Sequence, residues 1–174
     1  MKKIKVILFV LALLAVGCSC ARENRFGVFE LERRLCEINK TYAFDAEGMF
    51  RKEGVYHIFY PAGKGTLLLK VREDDRRRIE YLSLTAADAD EDTANGFSAL
   101  ACALTDVFLP EDARADARTS LRLEDPAAFF ADETLTAECG RYKAVFFKST
   151  KGISLMLRYE PLPATQGEGT SALP

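Results

Sequence analysis

This 174-residue sequence predicts an α+β domain: an antiparallel sheet, built as a four-strand meander plus a C-terminal hairpin, with two main helices packed on one face. Three observations predict it. Apolar residues recur at helical spacing between 28 and 42 and again between 97 and 108. Between those stretches, short apolar and aromatic runs alternate with turn residues. Two further apolar runs, near 142 to 148 and 153 to 159, flank a turn close to the C-terminus. Helical, strand-rich and helical segments in that order make segregated α+β layers.

Val28, Leu31, Leu35, Ile38 and Tyr42 mark the first helix, because intervals of three and four put them on one face while Arg33, Arg34, Glu37 and Lys40 fall between them. Turn chemistry then cuts the chain at Lys52-Glu53-Gly54, at Pro61 to Gly65 and at Glu73-Asp74-Asp75, which places strands near 42 to 51, 55 to 60, 66 to 72 and 77 to 84. Asp88 to Asp92 supply capping carboxylates for a second helix carrying Phe97, Leu100, Ala101, Leu104 and Phe108, which Pro110 stops. An Ala/Asp/Arg-rich connection follows. Asp125-Pro126 then reads as an N-cap and first helical residue of a short helix bearing Phe129 and Phe130. Ser149-Thr150-Lys151-Gly152 is the turn of the last hairpin. No internal repeat is found.

The N-terminus carries an address. Lys2, Lys3 and Lys5 precede an unbroken apolar run from Val6 to Val16, then Gly17 and Cys18. Charge, short apolar segment and small residue form an export signal. Eleven residues at about 1.5 Å each cover roughly half of a ~30 Å hydrocarbon core, too little for a stable span. The segment Leu14-Ala15-Val16-Gly17-Cys18 resembles the lipobox of bacterial lipoproteins, with Ala15 where that pattern usually has Leu. The resemblance covers only the first eighteen residues. It implies cleavage before Cys18, diacylglycerol on the Cys18 thiol, and a domain tethered to the cell membrane and facing away from the cytoplasm. In a host with an outer membrane, Ser19 favours sorting there. The expected organisation is therefore a signal peptide over 1–17, a lipidated tether over 18–25, one globular domain over 26–160 and a disordered tail over 161–174.

Half the residues are hydrophobic (48%) and 29% are charged, as in an ordinary folded domain rather than a disordered chain. The net charge of −2 gives no reason to seek polyanions, so nucleic acid is not an expected partner. Charge is uneven along the chain. Residues 88 to 133 are strongly acidic, whereas 141 to 158 hold Arg141, Lys143, Lys148, Lys151 and Arg158 and no acid. These segments either attract each other or occupy opposite solvated faces. Cys20, Cys36, Cys102 and Cys139 remain beside Cys18, and the sequence leaves both free thiols and disulfides open. With no Cys-x-x-Cys and one histidine, zinc is not expected.

Candidate chemistry is sparse. Asp88, Asp90 and Asp92 alternate like the first ligands of a calcium loop, but Thr93 and Ala99 stand where that loop needs Gly and Glu. Lys64 in Pro61-Ala62-Gly63-Lys64-Gly65 lacks the spacing of a phosphate loop. No cofactor is implied. His57, inside Val55 to Tyr60, is the sole histidine and reads as a strand residue unless a nucleophile and an orienting group meet it in space. Arg76, Arg77 and Arg78 form a cationic hairpin tip, the candidate contact residues for anionic headgroups or a wall polymer. Aromatic residues crowd the strands: Tyr42, Phe44, Phe50, Tyr56, Phe59, Tyr60, Tyr81, Tyr142, Phe146, Phe147 and Tyr159. Most serve sheet packing, and an exposed subset would serve a partner. The expectation is a non-enzymatic envelope lipoprotein, attached to the membrane through Cys18, that contacts an envelope protein or polymer. The rivals are an envelope hydrolase using His57 and a small-ligand carrier with a void beneath the first helix.

Overall fold

A computed structural model describes residues 25–87, 90–130, 133–149 and 152–161, without the side chains of Ala128 and Phe130. Cys18, Cys20, Asp88, Thr150, Lys151 and the expected tail from 162 onward lie outside the described residues.

Alternation of apolar and polar residues builds the sheet. Strands β1 (Met49–Lys52), β2 (Val55–Ala62), β3 (Gly65–Glu73) and β4 (Ile79–Ala87) form the expected meander. A second meander follows, of β5 (Glu133–Cys139), β6 (Tyr142–Ser149) and β7 (Gly152–Tyr159). The last strand lies antiparallel to β4, so one seven-stranded sheet results in the order β1-β2-β3-β4-β7-β6-β5. Glu53 and Gly54 both take positive φ, 52° and 80°, which closes the β1–β2 hairpin tightly.

Every second residue points inward. Ile58 and Tyr60, Leu67, Leu69 and Val71, Leu82 and Leu84, Leu155 and Leu157, and Ala144 and Phe146 share one buried face. Three helices cover that face and its flank: α1 (Val28–Ile38), α2 (Glu91–Phe108) and α3 (Arg114–Ser120). Val28, Leu31 and Leu35 of α1 and Phe97, Leu100 and Leu104 of α2 join the same core cluster. Phe97 sits between Phe129, edge-on at 5.9 Å, and Phe146, stacked at 5.8 Å. Asp90 caps α2 by accepting the Thr93 N–H at 2.8 Å, and Thr93 Oγ1 donates to the Ala62 carbonyl at 3.0 Å. Gly96 lets the helix approach closely, for a Cβ there would stand 2.9 Å from that of Ala62.

The expected elements differ from the observed ones in three places. The first strand begins at Met49 rather than 42, because Lys40–Tyr42 form a short 3-10 turn capped by Asn39 and Asp45 accepts the Glu47 N–H. Tyr42 and Phe44 pack edge-on against Tyr60 instead of extending the strand. Part of the Ala/Asp/Arg-rich connection is helical, as α3, with Ala117 turned into the core. Glu133–Cys139, expected as neither helix nor strand, is the edge strand β5. The short helix after Asp125 is present in 3-10 form, Pro126–Phe130.

Candidate interaction surface

Among the described residues the helices cover one face of the sheet and leave the other open. Strand register arranges the open face in rows that cross all or most of the strands. One row reads Phe50, His57, Lys70, Ser83, Met156, Val145 and Thr136. The next reads Phe59, Leu68, Thr85, Ser154, Phe147 and Thr134. On the other side of the first row stand Lys52, Val55, Arg72, Tyr81, Arg158, Lys143 and Glu138. The surface therefore passes from apolar to cationic along the strand direction, about 6.5 Å per row.

Four large apolar side chains on these rows meet water: Phe50 at 49% exposure, Phe59 at 39%, Phe147 at 50% and Met156 at 43%. Phe50 also stacks on His57, with rings 4.8 Å apart and parallel within 2°, and on Phe59 at 6.0 Å. The aromatic crowding in the sequence thus separates by strand parity. Phe50, Phe59 and Phe147 face out, while Tyr60, Tyr142, Phe146 and Tyr159 face the core.

His57 belongs to this surface. Its Nδ1 lies 3.2 Å from the Val55 carbonyl oxygen and its ring is held by Phe50. Among the described residues no carboxylate hydrogen-bonds to it.

The arginine triplet divides. Asp74 organises the β3–β4 turn by accepting the N–H groups of Arg76 and Arg78, at 3.0 and 2.9 Å, and it pairs with the Arg78 side chain at 3.2 Å. Burial works to raise the Asp74 carboxyl pKa, yet those N–H groups and the charges of Arg25 and Arg78 outweigh it and hold it below its ordinary value. Arg78 is therefore a turn residue, while Arg76 and Arg77 stay exposed. Arg77 occupies the left-handed region, with φ of 56°.

Sequence reasoning missed one buried cation. Tyr142, Ala144, Phe146 and Lys148 share the inward parity of β6, so Lys148 is enclosed, and its Nζ lies 2.8 Å from Glu133 Oε2. That hydrogen bond holds the Glu133 carboxyl below its ordinary range. The alternation in β6 carried this signal. Lys148–Glu133 also joins the basic and acidic segments at one point, while Arg118 of the acidic stretch pairs within it, with Asp106 and Glu124.

Cys36, Cys102 and Cys139 are free and half-buried, so no disulfide joins these three. Burial pushes the Cys102 thiol up to about 11, which leaves it protonated at neutral pH. Two surface clefts, of about 560 and 740 Å³, lie between α1, α2 and α3 and beside the start of α1, each lined largely by charged side chains. Among the described residues, no group of three His, Cys, Asp or Glu side chains gathers as a metal site, and no helix is long and apolar enough to cross a membrane.

No protein-family model, curated protein or solved structure matches this chain. The functional reading consequently rests on its own residues.

Proposed function

We propose that the chain is a lipoprotein anchored through Cys18, with its domain held outside the cytoplasm as a non-enzymatic module that binds a partner protein of the cell envelope on its open sheet face. The lipobox-like segment ending at Cys18 supports the anchor. A diacylglyceryl group supplies two chains at about 0.8 kcal/mol per buried methylene, enough for stable attachment. The observation that carries the binding role is the exposure of two apolar pairs on the uncovered face, Phe50 with Phe59 on β1–β2 and Phe147 with Met156 on β6–β7, with Lys70, Ser83, Thr85 and Ser154 between the pairs. Exposed apolar pairs on one sheet face, with polar residues between them and basic residues at their border, have the composition of a protein interface. Phe and Met, with Leu68 beside Phe59 and Val145 beside Met156, suit a protein partner better than a sugar, which polar aromatic rings serve better.

Cross-linking in intact envelopes tests this. The native protein is expected to yield a reproducible adduct that Phe59→Ser/Phe147→Ser loses while remaining folded by circular dichroism. An adduct unaffected by the double variant, or one with polysaccharide alone, would overturn the assignment of the partner. Intact mass tests the anchor separately: the acyl adduct is expected on the native chain and absent from Cys18→Ala.

A further inference from the structure

We infer that the domain docks on an anionic phospholipid surface by the end of the sheet where its tether enters, so that the strands stand on the membrane and the open face looks sideways. The inference rests on the Cys18 anchor proposed above and adds an orientation to it.

Three observations meet at that end. First, the entry point is fixed. Arg25 is seven residues beyond Cys18, and its guanidinium lies 4.1 Å over the Tyr159 ring and 3.0 Å from Asp74. The Ile79 N–H donates to the Phe26 carbonyl at 2.8 Å, which ties the incoming chain to the start of β4. Seven residues reach about 25 Å at full extension, so an anchor on Cys18 keeps this end within that distance of the bilayer.

Second, this end is basic in an acidic chain. Lys52, Arg72, Arg76, Arg77, Lys143 and Arg158 all lie here, at the last residues of β1 and β3, in the β3–β4 turn, at the start of β6 and near the end of β7. Arg72 pairs with Glu80 and Lys143 with Glu138. Glu53, Asp75, Glu138 and Glu160 are the exposed acids nearby. The opposite end carries Asp90, Glu91 and Asp92, since the Thr93–Ala62 hydrogen bond sets the start of α2 beside the β2–β3 turn. Charge is thus polarised along the strands, with the basic pole where the tether enters. Basic side chains near an anionic leaflet are attracted over about one screening length.

Third, Phe29 is 68% exposed on the first turn of α1, in a cleft that holds Arg51, Arg72 and Arg77 together with five acids, of which Glu30, Glu73 and Asp74 are engaged by Arg33 and Arg34, by the Val28 N–H and by Arg25 and Arg78. The Glu73 carboxylate accepts the Val28 N–H at 2.7 Å and fixes that turn beside the basic pole. An exposed ring beside exposed arginines suits a lipid headgroup region, where the ring enters the interface and the guanidinium groups meet phosphate.

Amine-modification footprinting tests this on the full acylated protein in vesicles of phosphatidylcholine, with or without phosphatidylglycerol. Lys52 and Lys143 report the basic pole. Lys64, in the β2–β3 turn, reports the opposite one. In phosphatidylglycerol vesicles, Lys52 and Lys143 are expected to lose roughly fivefold in reactivity relative to Lys64, the effect of one basic contact at such a surface. The contrast is expected to vanish in pure phosphatidylcholine, at about 1 M salt, where the screening length is roughly 3 Å, and in Arg76→Glu/Phe29→Ser. Equal reactivity of all three lysines in anionic vesicles, or protection of Lys64 instead, with the acyl adduct present, would overturn the docking and leave the anchor standing. Absence of the adduct would overturn the anchor and the docking together.

Discussion

The two faces of the sheet come from the same strands and the same backbone, yet they obey different rules. On the covered face Phe146 lies against Phe97 and Phe129 with no solvent exposure. On the open face its chain neighbour Phe147 is half exposed. Identical side chains one residue apart thus play opposite parts, one fixing the fold and the other available to a partner, because successive strand residues point to opposite sides. The covered face tolerates change poorly since it is close-packed, whereas the open face gives up little packing when altered.

The sharpest way to break that contrast is Phe97→Ala. It removes a ring wedged between Phe129 and Phe146 and is expected to cost about 3–5 kcal/mol, read as a drop in the urea midpoint. A loss below ~1 kcal/mol would show that the helix layer does not close on the sheet as described. Next comes Asp90→Ala, which removes the cap of α2, the main helix on that face, and should cost about 1 kcal/mol in the same measurement.

Acid titration probes the charged pair at the edge of the covered face. The Glu133 carboxyl is lowered chiefly by the hydrogen bond from Lys148, so it stabilises the folded state at pH above its ordinary value of 4.5. That contribution is lost as pH falls through the lowered folded value. Lys148→Met is expected to flatten the decline in stability between neutral and acid pH, and an unchanged profile would remove the pair from the account. Smallest in stability is Phe147→Ser on the open face. Its expected effect is within about 0.5 kcal/mol, while cross-linking to the proposed partner falls. A large destabilisation would mean that this face is covered by part of the chain itself.

The two longer helices and six of the seven strands were legible because their apolar residues keep a clean period, as in Val28, Leu31 and Leu35 or Leu67, Leu69 and Val71. Strand β5 was not. Its inward residues are Leu135, Ala137 and Cys139, its outward ones are Thr and Glu, and an edge strand needs little apolar content to be held by one neighbour. Helix α3 was missed for a similar reason, as only Ala117 of its seven residues is buried. Tyr42 and Phe44 misled in the other direction, because aromatic residues favour strands but here pack on Tyr60 from a turn. In the candidate surface, the sequence showed the crowd of aromatics and the arginine triplet. It did not show that Arg78 would be spent on Asp74, nor that Lys148 would lie inside.

By itself the sequence determined the class of fold, the inward parity of most strands and the lipobox-like segment at Cys18, since each depends on residues close in the chain. Tertiary structure alone decided that β7 lies against β4, that Lys148 lies inside beside Glu133, and that Arg25 sits on Asp74 and Tyr159. Those choices join residues far apart in sequence, such as Arg25 with Asp74 and Tyr81 with Arg158. Local periodicity is silent about such pairs because it records which way a side chain faces and not what it meets.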